Sequence, residues 1–138
     1  MTDTTQTSAG PIATARAWLS ATLQELTTTT PPLNGWQVCT YAPQTINPPC
    51  LVITESDPML TFEEGTIGTC LISFDVVAIT RGQANPDSYP LLEEATDALL
   101  QGLARICIPQ QVTYTIMTAA DQLHYMAARF TLNIPVKL

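Results

Sequence analysis

The most regular alternation along the chain lies near its end. Met126, Ala128, Phe130, Leu132, Ile134 and Val136 fall on one parity, and Tyr125, Ala127, Arg129, Thr131, Asn133 and Pro135 on the other. Period two predicts a strand with its even residues turned inward. Upstream, "QVTYTIMT" sets Val112, Tyr114 and Ile116 against Thr113, Thr115 and Met117, and Ala119 to Leu123 reads as the turn joining the two strands. A third long strand is predicted within Gly68 to Gly82. Cys70, Ile72, Phe74, Val76 and Ala78 form a wholly apolar face, and Leu71, Ser73, Asp75, Val77 and Ile79 a mixed one. A lone buried carboxylate would be costly, so Asp75 is expected on a face that stays uncovered, where it meets water, Arg129 or a neighbouring molecule.

Two stretches carry helical spacing. Gly10-Pro11 opens the first, with Pro11 where its missing N–H costs nothing. Ile12, Ala15, Leu19, Leu23 and Leu26 make one stripe, bordered by Trp18. The β-branched run Thr27 to Thr30 weakens this helix, and Pro31-Pro32 stops it. The second helix follows the turn-rich Arg81 to Pro90 segment, where Asn85, Asp87 and Ser88 are N-cap candidates. Its stripe is Leu92, Ala95, Leu99, Leu103 and Ile106, and Glu93, Glu94 and Asp97 sit early, where the helix dipole favours acids.

Between the first helix and the long strand lie shorter pieces. Gly35 to Ala42 alternates Trp36 and Val38 with Gln37 and Cys39. Pro43 to Pro49 is a loop, and Cys50 to Glu55 a short strand. Ser56 to Gly68 is predicted as a long connection, a hairpin tip or mobile arm. Residues 1 to 9 are polar and aperiodic and are expected to be a disordered tail before one domain spanning residues 10 to 138. The economical architecture is α+β: a two-layer sandwich of a mostly antiparallel sheet with both helices on one face, plus the arm.

Charge sharpens the picture. Charged residues make up only 12% of the chain, against roughly 25% in typical domains. So little charge leaves little to keep copies apart, which points to surfaces covered by partners. The net charge is −7, with twelve acids and five scattered bases. This argues against specific nucleic-acid binding and against an anionic membrane as partner. No apolar run approaches the roughly 18 residues of a membrane span. The N-terminus "MTDTTQTSAG" lacks the apolar segment of a secretory leader.

Candidate chemistry is sparse. Cys39, Cys50, Cys70 and Cys107 have no C-x-x-C spacing, and His124 is the only histidine. The expectation is therefore no metal, no cofactor and reduced, mostly buried thiols. Asp121 and His124 read as turn residues rather than a catalytic pair, and no serine lies in G-x-S-x-G. "GTIG" at 65 to 68 lacks the lysine of a phosphate-binding loop. Glu55, Asp57, Glu63 and Glu64 cluster without the alternate-position pattern of a calcium loop. Trp18 and Trp36 read as core aromatics. No enzymatic role is expected.

The block from "CLVITESDP" through "GTCLISFDVVAITRGQANPDSYPLLEEATDALLQGL", roughly residues 50 to 106, resembles the tail terminators and related head–tail connection proteins of long-tailed bacteriophages. The shared texture is a strand ending near "S-D-P", a loop, an "I-S-F-D-V-V" strand, a short Gly/Asn/Asp loop and an "A-x-D-A-L" helix. The resemblance implies a structural virion protein, assembled in the host cytoplasm. It would form a homo-oligomeric ring, typically hexameric, at the head-proximal end of the tail tube. The ring would end tube polymerisation, contact the tail tube protein and the head-completion or connector protein, and let DNA pass through an acidic lumen without specific binding. Expected partner contacts are Asp57, Met59, Phe62, Glu63 and Glu64 on the arm, Asp75 and Arg129 on the open face, and Arg81. The alternatives are a head-completion stopper, a minor tail protein, or a small-ligand-binding α+β module.

Overall fold

The chain's computed structural model describes residues 10–62, 68–107, 109–119 and 121–137, apart from the side chains of residues 82 and 83. The expected N-terminal tail lies outside the described residues. Helix α1 spans Pro11–Thr29 and helix α2 Tyr89–Leu103. The strands are β1 (Gln37–Cys39), β2 (Cys50–Thr61), β3 (Thr69–Gln83), β4 (Gln111–Thr118) and β5 (His124–Lys137). They form one five-stranded sheet in the order β1-β2-β3-β5-β4. Every pairing is antiparallel except β1 with β2, which is parallel.

Helix α1 starts as its sequence dictates, with extended Gly10 followed by Pro11 at the first helical position. It runs through the threonines to Thr29. The Thr27 and Thr28 hydroxyls donate to the Gln24 and Glu25 carbonyls at 2.8 Å, and Thr29 donates to Glu25 at 2.9 Å. Back-bonding of this kind satisfies β-branched hydroxyls at modest cost to the helix. Before α2, the Asn85 side chain accepts from the Asp87 amide at 2.8 Å and caps a short 3₁₀ turn over Pro86–Ser88. Where the helices meet, a Cβ on Gly102 would lie 2.6 Å from Leu26 Cδ2, so glycine permits the close approach.

Both helices pack on the face of the sheet that carries Phe74. The core joins Ala15, Leu19 and Leu23 of α1 and Leu92, Ala95, Leu99 and Leu103 of α2 to Leu51, Ile53, Ile72, Phe74, Val76, Met126, Ala128, Phe130 and Leu132. Phe74 and Phe130 are fully buried. Each such side chain contributes roughly 1.5–3 kcal/mol relative to exposure. The α+β sandwich with both helices on one side is the architecture that the hydrophobic pattern predicts.

Five expectations need correction. First, the segment from Ser56 is not a long arm: β2 continues to Thr61, pairing Leu60 with Ile72 and Thr61 with Leu71. A register shift between Glu55 and Leu60 absorbs Asp57 and Pro58 as a bulge, and Met59 and Leu60 pack against the core beyond it. Second, the outer sheet face is not left uncovered throughout. Cys50, Val52, Val77, Ile79 and Ala127 form a second apolar cluster, closed by Cys39, Ile46, Met117 and Tyr125, so the segment between β1 and β2 lies over that end. Third, α2 stops at Leu103 and leaves Ile106 exposed. Fourth, Trp18 is exposed rather than core, because it sits just outside the α1 stripe, while Trp36 is partly buried against the core. Fifth, Asp75 is only 7% exposed, not on an open surface.

Candidate functional site

The outer sheet face divides along its length. Beside the second apolar cluster, β3 and β5 present a polar network. The registers set Asp75 between Thr54 and Thr131, and Ser73 opposite Asn133. Residues opposite one another share a face, so these side chains meet. The Thr131 hydroxyl donates to Asp75 Oδ1 at 2.9 Å, and Arg129 Nη1 donates to Oδ2 at 3.0 Å. The Ser73 hydroxyl donates to Asn133 Oδ1 at 2.6 Å, and Asn133 Nδ2 donates to Gln110 Oε1 at 2.8 Å. Among the described residues, no buried side-chain polar atom lacks a partner. Asp75 is thus tolerated in burial because β5 supplies both a hydroxyl and a guanidinium.

A groove of about 400 Å³ opens alongside, lined by Ser56, Asp57, Pro58, Thr61, Leu71, Ser73, Gln110, Gln111, Thr131 and Asn133. Only Pro58 and Leu71 on that wall are apolar. Small-ligand sites combine apolar walls with a few convergent polar groups, and this groove has the polar groups without the walls.

The expected contact residues do not converge. Asp57 and Phe62 are exposed on and beyond the β2 bulge, and Met59 is partly buried against the core. Asp75 and Arg129 pair on the outer face. Arg81 is exposed near the far end of β3, beside Pro32, Trp36, Thr80, Leu91 and Glu94. Glu63 and Glu64 lie outside the described residues. No group of three or more potential metal ligands occurs among the described residues, and no described helix is long and apolar enough to cross a membrane.

Asp121 and His124 have separate engagements. Asp121 accepts from the Leu123 amide at 2.9 Å and from the Tyr125 hydroxyl at 2.8 Å. The amide first, then the hydroxyl, hold its carboxyl below the usual range. The same bond pushes the Tyr125 hydroxyl up. His124 Nδ1 lies 3.1 Å from the Thr118 hydroxyl. Asp121 is thus a turn residue, whereas His124 opens β5 opposite Thr118. Cys39, Cys50 and Cys70 are free thiols, and Cys107 Sγ donates to the Asn133 carbonyl at 3.6 Å; burial raises Cys39 and Cys107, and burial with the nearby Cys39 raises Cys50 to about 11.

Sequence reasoning missed Arg16. It is buried on α1, donating from Nη1 to the Thr40 carbonyl at 2.9 Å and pairing through Nη2 with Glu55 Oε2. Its guanidinium carbon lies 4.5 Å from the Tyr41 ring centroid and 5.0 Å from that of Phe74. Ser20, one turn on, shares a 2.7 Å hydrogen bond with the Thr40 hydroxyl. The signal was present: Arg16, Ser20 and Thr27 form a polar stripe flanking the apolar one, and all three are buried.

The edges of the sheet differ. At one, β1 covers only Cys50 to Val52 of β2, and the rest of β2 carries Glu55, Asp57 and Pro58. At the other, β4 pairs with β5 in unbroken register from Gln111 to Thr118, and among the described residues no strand lies on its outer side. Its sequence "QVTYTIMT" has neither charge nor proline. Tyr114 and Ile116, on the helix side of the sheet, remain 42% and 58% exposed, with Tyr89 tilted against Tyr114 at 6.5 Å between ring centroids.

What these features define is a two-layer α+β domain with an engaged polar face and an unguarded edge. The chain matches no protein-family model and no curated protein.

Proposed function

We propose that the chain is a structural virion protein, a tail terminator that caps the head-proximal end of a phage tail tube as a ring and joins it to the head connector. The observation that carries the reading is the asymmetry of the sheet. One side is sealed by both helices. The other presents, on its β4 half, Thr113, Thr115 and the half-buried Arg129, a polar strip with few charges that suits contact with other protein. The resemblance across residues 50 to 106 and the net charge of −7 support it, since an acidic wall lets DNA pass without adhering. In this reading the chain performs no catalysis and needs no cofactor.

The test is negative-stain imaging of tail tubes assembled with and without the purified chain. The expected result is ring-shaped density at one end of each tube, with growth arrested there. Tubes that stay bare and continue to lengthen would overturn the reading.

A further inference from the structure

We propose that β4 is a self-pairing edge: two copies of the chain join β4 to β4, antiparallel about a two-fold axis at Thr115, into one ten-stranded sheet. The inference goes beyond the ring reading and does not depend on it.

Three observations carry it. The first is that the edge is unguarded. Exposed edges are normally blunted by charge, proline or a bulge, and β4 has none of these over its eight residues. The second is charge. The chain's few charges sum to −7, and none of them lies on β4, so a second copy meets no like charge along this edge. A partner recognised by charge would gain nothing there, whereas a second copy loses nothing.

The third is self-complementarity. The Ala119 amide bonds the Leu123 carbonyl at 3.0 Å, one step beyond the Thr118–His124 pair. Bonded and non-bonded pairs alternate along an antiparallel ladder. The odd residues of β4 therefore turn their backbone groups to β5, and Val112, Tyr114, Ile116 and Thr118 turn theirs outward. Only registers that set even residues against even ones keep faces matched and groups bonded. Centring on Thr115 opposes Tyr114 to Ile116 of the partner subunit and Val112 to Thr118 of the partner subunit. All four outward residues then find bonding partners. The two exposed apolar side chains of each copy cover those of the other, on the helix side, where α2 reaches Tyr114 through Tyr89 yet leaves it 42% exposed.

The test uses the full chain. Sedimentation equilibrium should show a dimer at about 100 μM, within reach of an ordinary protein–protein contact. Ile116→Lys, at an exposed position, should keep the circular dichroism spectrum and raise the dissociation constant tenfold or more. Thr115 sits at a non-bonded pair, where Cα atoms approach to about 4.5 Å, a separation a disulfide spans. Thr115→Cys should therefore cross-link into a dimer with diamide, and release it with dithiothreitol. Thr113→Cys, offset from the axis, and the wild-type chain should not. A monomer throughout the concentration range, a dimer indifferent to Ile116→Lys, or cross-linking of Thr113→Cys as fast as Thr115→Cys overturns the proposal. Bare tail tubes would overturn the ring reading alone.

Discussion

Replacing Asp75 tests whether the outer face is held together from within. The residue is 7% exposed, and its carboxylate has two partners of unequal burial. Thr131 is buried, whereas the Arg129 side chain is 37% exposed. Asp75→Ala leaves the Thr131 hydroxyl without its acceptor, a loss of about 1–3 kcal/mol. It also forfeits the Arg129 contact, which solvent screening limits to below about 1 kcal/mol. The expected sum is about 1–4 kcal/mol, a large share of a typical domain's stability. Asp75→Asn keeps an acceptor for Thr131 and should lose only about 1 kcal/mol. Arg129→Ala leaves the buried carboxylate with Thr131 alone, and an uncompensated buried charge costs more than the screened contact contributes, so this variant should fall between the two. Urea unfolding followed by fluorescence of Trp18 and Trp36 gives each value from the midpoint and slope. The order Ala, then Arg129→Ala, then Asn is the diagnostic. Should Asp75→Ala fall within about 0.5 kcal/mol of wild type, the range of unremarkable surface substitutions, the carboxylate is not part of the packing and the account of this face fails.

Two further outcomes follow from other buried groups. Arg16→Lys should destabilise by about 1–3 kcal/mol, because an ammonium cannot reproduce the planar fork that meets Thr40 and Glu55 together; limited proteolysis should then cut faster between residues 40 and 49. Cys50, raised from 9.0 to about 11, should carry about a hundredfold less thiolate at pH 8 than an unfolded cysteine and alkylate at least that much more slowly with iodoacetamide. The linkage sign follows: a raised folded value means the stabilising share is complete below pH 9 and is lost as pH climbs towards 11, so urea midpoints should drop over that window and drop less in Cys50→Ala.

The elements that were legible in the sequence are those whose two faces differ in polarity. β5 shows its inward set plainly because every even residue from Met126 to Val136 is apolar, and the helix stripes show theirs for the same reason. β2 was cut short because Asp57-Pro58 carries the marks of a loop. Sequence spacing cannot show that a bulge absorbs these residues and that Leu60 and Thr61 resume the ladder. The outer face misled for a different reason. Val77, Ile79, Val52 and Ala127 form an apolar half only once three strands are laid side by side, and that alignment is long-range information. Arg129 was one of three partners expected for Asp75, yet Asp75 was placed in the open because nothing local announces the hydroxyl of Thr131 across the strand. Arg16 escaped because a cation on a helix reads as solvated unless the polar residues at one-turn spacing beside it are counted as a face of their own.

The contrast between the two sheet edges limits what assembly can look like. Adding strands head to tail needs two compatible edges per molecule, and such addition closes into a ring or runs on as a fibre. Here the β2 edge is interrupted by Pro58, which has no N–H to give, and by a register shift that takes Ser56 to Met59 out of regular pairing. One good edge per molecule permits a pair and forbids a continuous sheet of many copies. A ring built from this chain must then be held by side-chain surfaces and loops rather than by a shared ladder. If β4 is engaged in a two-fold pair, that pair has no polarity, whereas a ring between tube and connector must present different faces to each. The paired form and the ring therefore exclude one another at β4 unless two rings stack back to back, and a chain stored as pairs would have to part before it could cap a tube.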